Sequence, residues 1–428
     1  MKNWQIGAGG VAWGAMTTTT SEGSVDVVSV RRLLGSSLVM RLLVDTSVQL
    51  FYPFLPLFAA GLGITAVSMG RLVGLRTLMG LLSPFWGALA DRHGYRLVMN
   101  GALWGIVAGL VLVGVSPPLT TGLGVVTAVC GMILMGSGLN AFVPNLFAYL
   151  SAQLPYSQRS RGLGLLEMAW AVAGIVGVFL VGWAMDRWGW RVPLLGLAGL
   201  LLASSVAMRS FPKTKRERKG KGAEKKTAVS WRQRVADFVD LGENGRSAWA
   251  VIAAASLIMF GAFHLFGVYG QWLFVEYGLE ARELGTVALF MGVAAFCASG
   301  IISLFGDKIG KRRGVWVSSL LAIGAFWLLP LLNVGLVVLV AGLFVAHFLF
   351  EFAVVSTMIL ATEQVPAQRG KMMTIWAASG TVGVATANLT GPPAYEAFGA
   401  VGLAIPAGAA FVLVWLLVLV WVNEEGGD

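Results

Sequence analysis

Twelve apolar stretches alternate with short polar breaks along the chain, and each is about 18 residues long or longer. An α-helix rises about 1.5 Å per residue, so a helix of this length crosses the ~30 Å hydrocarbon layer of a bilayer. Six stretches precede a long polar segment, residues 212–246, and six follow it. The pattern predicts an all-α membrane protein with twelve transmembrane helices. The predicted spans are 34–60, 67–90, 97–115, 121–150, 163–185, 192–211, 247–275, 283–305, 315–333, 335–364, 371–392 and 401–422.

The composition excludes a soluble protein. Hydrophobic residues make up 57% of the 428 residues and charged residues only 12%, whereas soluble domains carry about 25% charged residues. An outer-membrane barrel is excluded as well, because its strands would read as short alternating segments. The two cysteines, Cys130 and Cys297, both fall inside apolar stretches, so we expect small core residues rather than a disulfide framework.

The positive charges predict the orientation of the chain. Of the 31 Lys and Arg residues, 25 lie in the N-terminal tail or in the breaks that share its side of the membrane. Because cationic loops remain in the cytoplasm, we expect both termini there and a location in the cytoplasmic (inner or plasma) membrane. The net charge of +10 then reflects topology and contact with anionic lipids, not nucleic-acid binding. Residues 1–30 lack a signal-peptide pattern, and Met16 is an alternative start.

These boundaries divide the chain into five regions. They are a flexible cytoplasmic tail (1–32), an N-terminal six-helix bundle (33–211), a basic cytoplasmic linker (212–246), a C-terminal six-helix bundle (247–422) and a second cytoplasmic tail (423–428). Within the linker, Trp231, Val235, Phe238 and Val239 recur at helical spacing. They predict a short helix on the inner membrane surface, and an unstructured linker is the open alternative.

Two segments of the sequence repeat at half the chain length. The chain reads Gly-Ala-Leu-Ala-Asp-Arg-His-Gly-Tyr-Arg over residues 87–96 and Ser-Leu-Phe-Gly-Asp-Lys-Ile-Gly-Lys-Arg over residues 303–312. Asp91 and Asp307, which begin the shared core, are 216 residues apart. A second, shorter repeat relates Pro155 and Pro366, each of which is followed closely by an Arg-Gly pair. The repeats predict that the two six-helix bundles are pseudo-symmetric.

The first of these segments resembles the signature loop of the major facilitator superfamily of secondary transporters, whose pattern is G-x-L-A-D-R-x-G-x-R. The resemblance extends from about Leu33 to Val422, with softer similarities at residues 54–57 and 189–191. Ser303 replaces the glycine of the second copy, and two motifs of proton-linked drug exporters, an arginine in span 4 and a Gly-Pro pair in span 5, are absent. The residues expected to form the inner-gate loops are Gly87, Asp91, Arg92, Gly94, Arg96, Asp307, Gly310 and Lys311.

The resemblance implies a fold and a gate. Helices 1, 4, 7 and 10 would line a central cavity between the halves. In the family, the aspartate at the Asp91 position pairs with cationic groups and a helix N-terminus of the opposite half, which latches the inner gate. Here the start of span 11, near Lys371, is the expected partner. The alternative is that Asp91 only caps span 3.

Ionisable residues inside the predicted spans point to the transport site. Each costs at least ~2.5–3.5 kcal/mol in lipid, so each needs a partner or a function. Four of them, Asp45, His264, His347 and Glu351, fall on three of the four spans that the resemblance assigns to the cavity. The predicted proton- or substrate-contacting residues are Asp45, Glu351, His347, His264, Arg76, Gln49 and Asn140.

Two acidic residues inside the predicted spans, Asp45 and Glu167, have a structural interpretation as well. Asp45 is expected either in such a role or in a static pair with Arg76 or Arg41. Glu167, close to the inner boundary of span 5, is expected to pair with Arg41 or Arg161. Arg41 and Glu167 are therefore the candidate structural ion pair.

The remaining candidates lie on spans 7 and 10. Glu351 has only His347, one turn away, as a possible cationic partner, which makes it a candidate proton carrier. His264 is expected as a hydrogen-bonded core residue or as a cavity group. His347 and Glu351 share a helix face and with His264 suit a metal only weakly, so no metal or cofactor is expected.

These features favour a secondary transporter that moves a small organic solute by alternating access, with proton coupling and export preferred. No Walker-type phosphate loop is present, so ATP is not the expected energy source. The chain is not expected to be an enzyme, although a membrane-embedded enzyme acting on lipid is the rival interpretation. A non-transporting sensor on the same scaffold is a third one. The expected partners are the solute, protons and membrane lipids, and a monomer is the default for the fold.

Overall fold

The structure, a computed structural model, describes residues 27–154, 156–212, 240–242 and 244–423. Most of the basic linker, with its predicted surface helix, and most of both tails lie outside these residues. The regular structure within the described residues is helical. The division into five regions therefore remains a prediction.

The helices follow the predicted spans in order, and we number them α1 to α12. Four spans are helices with internal irregularities. The helix α1 breaks between Gln49 and Leu55, α7 breaks between Phe266 and Tyr269, α2 contains a 3-10 turn, and α5 contains a π-helical segment. The bounds are α1 (Val27–Gln49 and Leu55–Leu62), α2 (Ala66–Leu78, Met79–Leu82 and Ser83–His93), α3 (Tyr95–Gly114), α4 (Gly122–Gln153), α5 (Tyr156–Val172, Ala173–Val178 and Phe179–Trp188), α6 (Arg191–Ala207 and Met208–Ser210), α7 (Gly245–Phe266 and Tyr269–Tyr277), α8 (Ala281–Ile309), α9 (Lys311–Leu328), α10 (Leu336–Gln364), and α11 and α12 within Arg369–Trp421.

Nine helical segments in the described part of the chain are long and apolar enough to cross a membrane on their own. One of them, Arg369–Trp421, holds two predicted spans and is broken at Gly399, where φ is 59° and ψ is −148°. The spans α1 and α9 are not among the nine, because every 18-residue stretch of Val27–Gln49 and of Lys311–Leu328 carries at least three charged residues. Charge, rather than length, separates these two from the other spans.

The turns between α2 and α3 and between α8 and α9 have the same backbone conformation. Gly94 has φ 97° and ψ 144°, and Gly310 has φ 82° and ψ 136°. An L-residue with a side chain rarely adopts positive φ, so glycine is needed at both turns. The sequence repeat is thus matched by a repeat of local structure.

An arginine two residues after each of these glycines fastens its turn to the end of the sixth helix of the same half. Arg96 donates from Nη2 to the backbone oxygen of Arg209 at 2.7 Å. Arg312 donates from Nη2 to the backbone oxygen of Leu419 at 3.0 Å and from Nε to that of Val418 at 3.3 Å. A cation at a helix C-terminus is favourable, because the last carbonyls lack partners within the helix.

A second pair of equivalent contacts joins the fourth helix of each half to the chain just beyond the end of the sixth helix. Gln153 donates from Nε2 to the oxygen of Pro212 at 3.2 Å, and Gln364 donates from Nε2 to the oxygen of Asn423 at 3.0 Å. The two glutamines are 211 residues apart, as are the two acceptors. These contacts support the predicted pseudo-symmetry of the two bundles.

The two halves meet closely towards the predicted outer face. The first segment of α2 packs on α11, and the last segment of α5 packs on α8. A methyl group added at Gly70 would overlap with the Pro392 ring, and one at Gly182 would lie 2.6 Å from the backbone oxygen of Ala281. By contrast, Ser83–His93 of α2 packs chiefly on α3 and α4 of its own half. Among the described residues, the contacts between the halves are therefore concentrated towards the predicted outer face.

Both cysteines lie at the surface, on α4 and α8. The expectation that Cys130 and Cys297 are core residues is wrong, since both are exposed. A protein surrounded by lipid presents apolar residues outward as well as inward. Hydrophobicity alone therefore does not separate core positions from lipid-facing ones.

Candidate functional site

A buried ion pair on α1 lies at the centre of the candidate site. Asp45 and Arg41 are one helical turn apart, and the distance between Oδ2 and Nε is 2.6 Å. The guanidinium also lies over the Phe147 ring of α4, 5.5 Å from its centroid. Its Nη1 atom is buried and has no hydrogen-bond partner among the described residues. Of the two partners predicted for Asp45, the structure therefore shows Arg41.

Glu167 of α5 lies within electrostatic range of both Asp45 and Glu351. It is exposed, and the predicted pair with Arg41 is not what the structure shows, because Arg41 contacts Asp45 instead. The α-helical spacing of Arg41 and Asp45 makes that local pair easier to form than one between two helices. The side chain of Arg161, the alternative partner, lies outside the described residues.

Glu351 brings a carboxylate from the other half of the protein. It is partly buried on α10 and accepts a hydrogen bond from Ser299 Oγ of α8 at 3.4 Å. We call Asp45, Glu167 and Glu351 the carboxylate cluster. Two of its members come from the N-terminal half and one from the C-terminal half, so the cluster spans the interface that must change during alternating access.

Arg76 is not in contact with the carboxylate cluster. It is 2% exposed and donates from Nη1 to the Val48 oxygen at 3.1 Å and from Nη2 to Tyr52 Oη at 3.4 Å. The guanidinium also lies 4.9 Å from the centroid of the Phe51 ring. Val48 belongs to the last turn of the first segment of α1, so Arg76 satisfies an end carbonyl where that helix breaks.

The neutral polar candidates bond to helix backbones. Gln49 donates from Nε2 to the Trp170 oxygen of α5 at 2.8 Å, which joins two helices of the N-terminal half. Asn140 and the neighbouring Asn145 donate from Nδ2 to the oxygens of Gly136 and Ala141, four residues earlier in α4. The amide groups of Asn140 and Asn145 are thus fixed within their own helix.

The two histidines lie in aromatic surroundings within the C-terminal half. The ring centroid of His264 is 5.3 Å from that of Phe260 on the same helix. His347 packs edge-on against Phe266 of α7, with the centroids 4.8 Å apart. Within the described residues, the structure shows no group of three or more His, Cys, Asp or Glu side chains arranged to hold a metal ion.

The signature-loop residues lie at the predicted cytoplasmic ends of α2 and α8. Asp91 accepts a hydrogen bond from Tyr95 Oη at 3.2 Å, and Lys371 contacts the Asp240 backbone and Gln368 Oε1. The latch between Asp91 and the start of α11 stays a prediction. In the second copy, Lys311 forms an ion pair with Glu363 of α10, and the side chain of Asp307 lies outside the described residues.

Three residues that touch the predicted site were not expected from the sequence. Ser299 contacts Glu351, Phe147 lies under Arg41, and Tyr52 contacts Arg76. Serines and aromatic residues are frequent along the spans, so none of these three carried a signal of its own. Only knowledge of the helix packing selects them.

Comparison with known proteins places the chain in a family. The profile described as Major Facilitator Superfamily matches residues 38–302 and 251–427. An uncharacterized MFS-type transporter of Bacillus subtilis (strain 168), YuxJ, is 29% identical over 327 residues, which cover 72% of this chain and 76% of that protein. The Multidrug resistance protein MdtG of Serratia proteamaculans (strain 568) is 26% identical over 290 residues, covering 63% of this chain and 64% of that protein.

The fold is also found among solved structures. The crystal structure of a D-xylose-proton symporter matches with a TM-score of 0.74 at 16% identity, covering 94% of this chain and 99% of that one. The similar proteins are transporters and not enzymes, which removes the rival interpretation as a membrane-embedded enzyme. The signature loop, the paired half-chain contacts and these matches lead to one conclusion: the chain is a multi-pass membrane protein that belongs to the major facilitator superfamily.

Proposed function

We propose that the protein is a secondary active transporter that exports a small organic solute in exchange for protons. The observation that carries the proposal is the carboxylate cluster, in which Glu167 lies within electrostatic range of Asp45 in its own half and of Glu351 in the other half. Ionisable groups at membrane depth mark ion and substrate pathways in transporters. A cluster that spans both halves changes its geometry whenever the halves rock, as coupling requires.

The charge balance of the cluster supports binding of a cation. Arg41 is engaged with Asp45 at 2.6 Å, Glu167 lies within electrostatic range of that aspartate, and Glu351 lies within range of Glu167. Ser299, the hydrogen-bond donor that contacts Glu351, is neutral. A proton or the cationic group of a solute can neutralise the remaining negative charge. Competition between the two for the same site is a simple basis for exchange.

Aromatic side chains support an amphipathic solute. The Tyr52 ring of α1 packs edge-on against Phe263 of α7, with the centroids 5.2 Å apart, and Phe263 packs edge-on against Phe350 of α10 at 6.0 Å. These rings join the two halves on the outer side of the cluster. Apolar rings beside acidic groups suit an organic cation, because the ring faces attract positive charge. The similarity to a protein named Multidrug resistance protein MdtG supports the direction of export.

The test is transport in proteoliposomes with ethidium, a lipophilic organic cation, as the probe. We expect an imposed pH gradient to drive ethidium uptake into vesicles in the direction opposite to proton flow. Asp45→Asn and Glu351→Gln should each lose gradient-driven accumulation. Glu396→Gln is the matched control, because Glu396 is exposed on α11, and it should transport like the wild type.

Three results would contradict parts of the proposal. Ethidium flux that ignores the pH gradient would exclude proton coupling. Flux that survives both Asp45→Asn and Glu351→Gln would exclude the carboxylate cluster as the coupling site. Saturable binding of ethidium and of every other probe in a panel, with no flux of any, would favour the sensor interpretation.

A further inference from the structure

A cationic cavity lies at the predicted cytoplasmic face of the C-terminal half, away from the carboxylate cluster. Its volume is about 440 Å³, and it is formed where α8 ends, α9 begins and α12 ends. Three of the residues around it are cations. The lining residues are Lys308, Ile309, Gly310, Arg312, Arg313, Trp316 and Leu419.

The cationic side chains around this cavity differ in their hydrogen bonds and in their exposure. Arg312 is held by the backbone oxygens of Val418 and Leu419, which fixes its guanidinium at the end of α12. Lys308 and Arg313 are exposed. Lys311, the next cation in sequence, pairs with Glu363 and does not line the cavity. The cavity thus presents one fixed guanidinium and two exposed cationic side chains.

Two further groups of hydrogen-bond donors lie at the cavity. Trp316 lines it, and its indole N–H is buried without a hydrogen-bond partner among the described residues. The 18-residue helix α9 begins there, and its N-cap residue, Gly310, has no side chain that could bond to the first N–H groups. The first N–H groups of a helix lack partners within the helix and attract anions. Cations, an indole N–H and a helix N-terminus are the groups that bind phosphate.

The surface around the cavity faces lipid. Leu304 of α8 is 74% exposed and Val420 of α12 is 63% exposed. Exposed apolar residues of this size beside a cationic cavity match the boundary between head groups and acyl chains. Basic pockets between transmembrane helices on the cytoplasmic side bind anionic lipid head groups.

We propose that this cavity binds the phosphate group of an anionic phospholipid from the inner leaflet. The equivalent place in the N-terminal half lacks two of the groups, because Leu97 stands at the position of Arg313 and Asn100 at that of Trp316. The lipid site is therefore a property of the C-terminal half. A bound head group joins the ends of α8 and α12 and neutralises cations that would otherwise repel one another.

The proposal is tested by native mass spectrometry of the full chain in mild detergent, titrated with phosphatidylglycerol or phosphatidylcholine. We expect saturable binding of phosphatidylglycerol and weaker binding of phosphatidylcholine. Lys308→Gln with Arg313→Gln should weaken phosphatidylglycerol binding about tenfold or more, because each cation near the surface contributes to attraction of anionic lipid. The matched control, Arg31→Gln with Arg32→Gln, removes two exposed cations from the start of α1 and should change binding less than about twofold.

A second variant and a competition experiment complete the test. Trp316→Phe keeps every charge and removes the indole N–H together with part of the ring, so it should weaken binding by a smaller factor than the loss of two cations. Equal losses in the Lys308/Arg313 and Arg31/Arg32 variants would overturn the site. Displacement of the lipid by millimolar inorganic phosphate would overturn the assignment to lipid and indicate a site for free phosphate.

Discussion

Arg41 and Asp45 form a buried ion pair within a single helix, with 2.6 Å between Nε and Oδ2. The two side chains are 8% and 1% exposed, so neither charge is solvated by water. The pair stabilises the inner half of α1 at the place where a transport site is also predicted. A structural role and a transport role for Asp45 are therefore compatible, and substitutions can separate them.

The structural role predicts a stability loss that a second substitution reverses. Asp45→Asn leaves the Arg41 charge buried without a partner, and we expect a loss of about 3–5 kcal/mol of stability. Arg41→Gln together with Asp45→Asn removes both charges and should recover most of this loss. Thermal unfolding of the purified single and double variants measures the coupling energy. The same cycle at Lys311 and Glu363, which are 25% and 36% exposed, should give only about 0–1 kcal/mol.

The transport role predicts a different outcome for the same double variant. If Asp45 carries protons or contacts the solute, the Arg41→Gln and Asp45→Asn double variant should be stable and still fail to accumulate ethidium against its gradient. Normal accumulation by this variant would show that the pair is purely structural. Transport in proteoliposomes, with the unfolding temperature measured on the same preparation, decides between the two.

The spans were predictable because a membrane requires long apolar helices, and every predicted span corresponds to a helix. Two bends were not predicted, the breaks of α1 between Gln49 and Leu55 and of α7 between Phe266 and Tyr269. The residues at both breaks are apolar, so the hydropathy pattern does not reveal the breaks. The break of α1 adjoins the contact of Arg76 with the Val48 oxygen, which joins residues 28 positions apart.

The candidate site was only partly predictable for the same reason. A charged residue inside a span is conspicuous, which identified Asp45, Arg76 and Glu351. The partner of each charge depends on how the helices rotate and pack, which the pattern of hydrophobic and charged positions does not show. Asp45 had two candidate arginines, and the structure shows the one on its own helix. The two histidines were conspicuous as well, yet the structure places them among aromatic rings.

Arg76 should be difficult to replace even by lysine. Its two terminal nitrogens contact the Val48 oxygen and Tyr52 Oη, 3.1 and 3.4 Å away. A single ammonium group cannot reproduce this fork, so Arg76→Lys should lower stability by about 1–3 kcal/mol through an unsatisfied buried group. Tyr52→Phe removes only the longer contact and should cost about 1 kcal/mol or less. Equal unfolding temperatures for Arg76→Lys and the wild type would contradict this account of the α1 break.

The predicted latch at Asp91 should act in the conformation opposite to the one seen here. In this structure the halves meet at the predicted outer face, and Asp91 contacts Tyr95 of its own half. If Asp91 pairs with the start of α11 when the cytoplasmic side closes, Asp91→Asn should favour the present arrangement, in which the halves meet at the outer face. Electron paramagnetic resonance distances between labels at Thr120 and Val334, two exposed residues, report closure of the outer face. We expect Asp91→Asn to enrich the short-distance population, and an unchanged distribution would reduce Asp91 to a helix cap.

Closure of the outer face should fail when the contact between α5 and α8 is widened. A methyl group at Gly182 would lie 2.6 Å from the Ala281 oxygen and 3.0 Å from Gly285 Cα, and both atoms belong to the backbone and cannot rotate away. Gly182→Ala should therefore shift the equilibrium towards open outer ends and lower the transport rate. The matched control is Gly300→Ala on α8, where nothing lies within 4 Å of the added methyl.

The spin labels at Thr120 and Val334 report the distance again. For this measurement Cys130 and Cys297, both exposed, are replaced by alanine. We expect longer distances in Gly182→Ala and wild-type distances in Gly300→Ala. Identical distributions in the two variants would mean that the close approach of α5 and α8 does not control the outer gate.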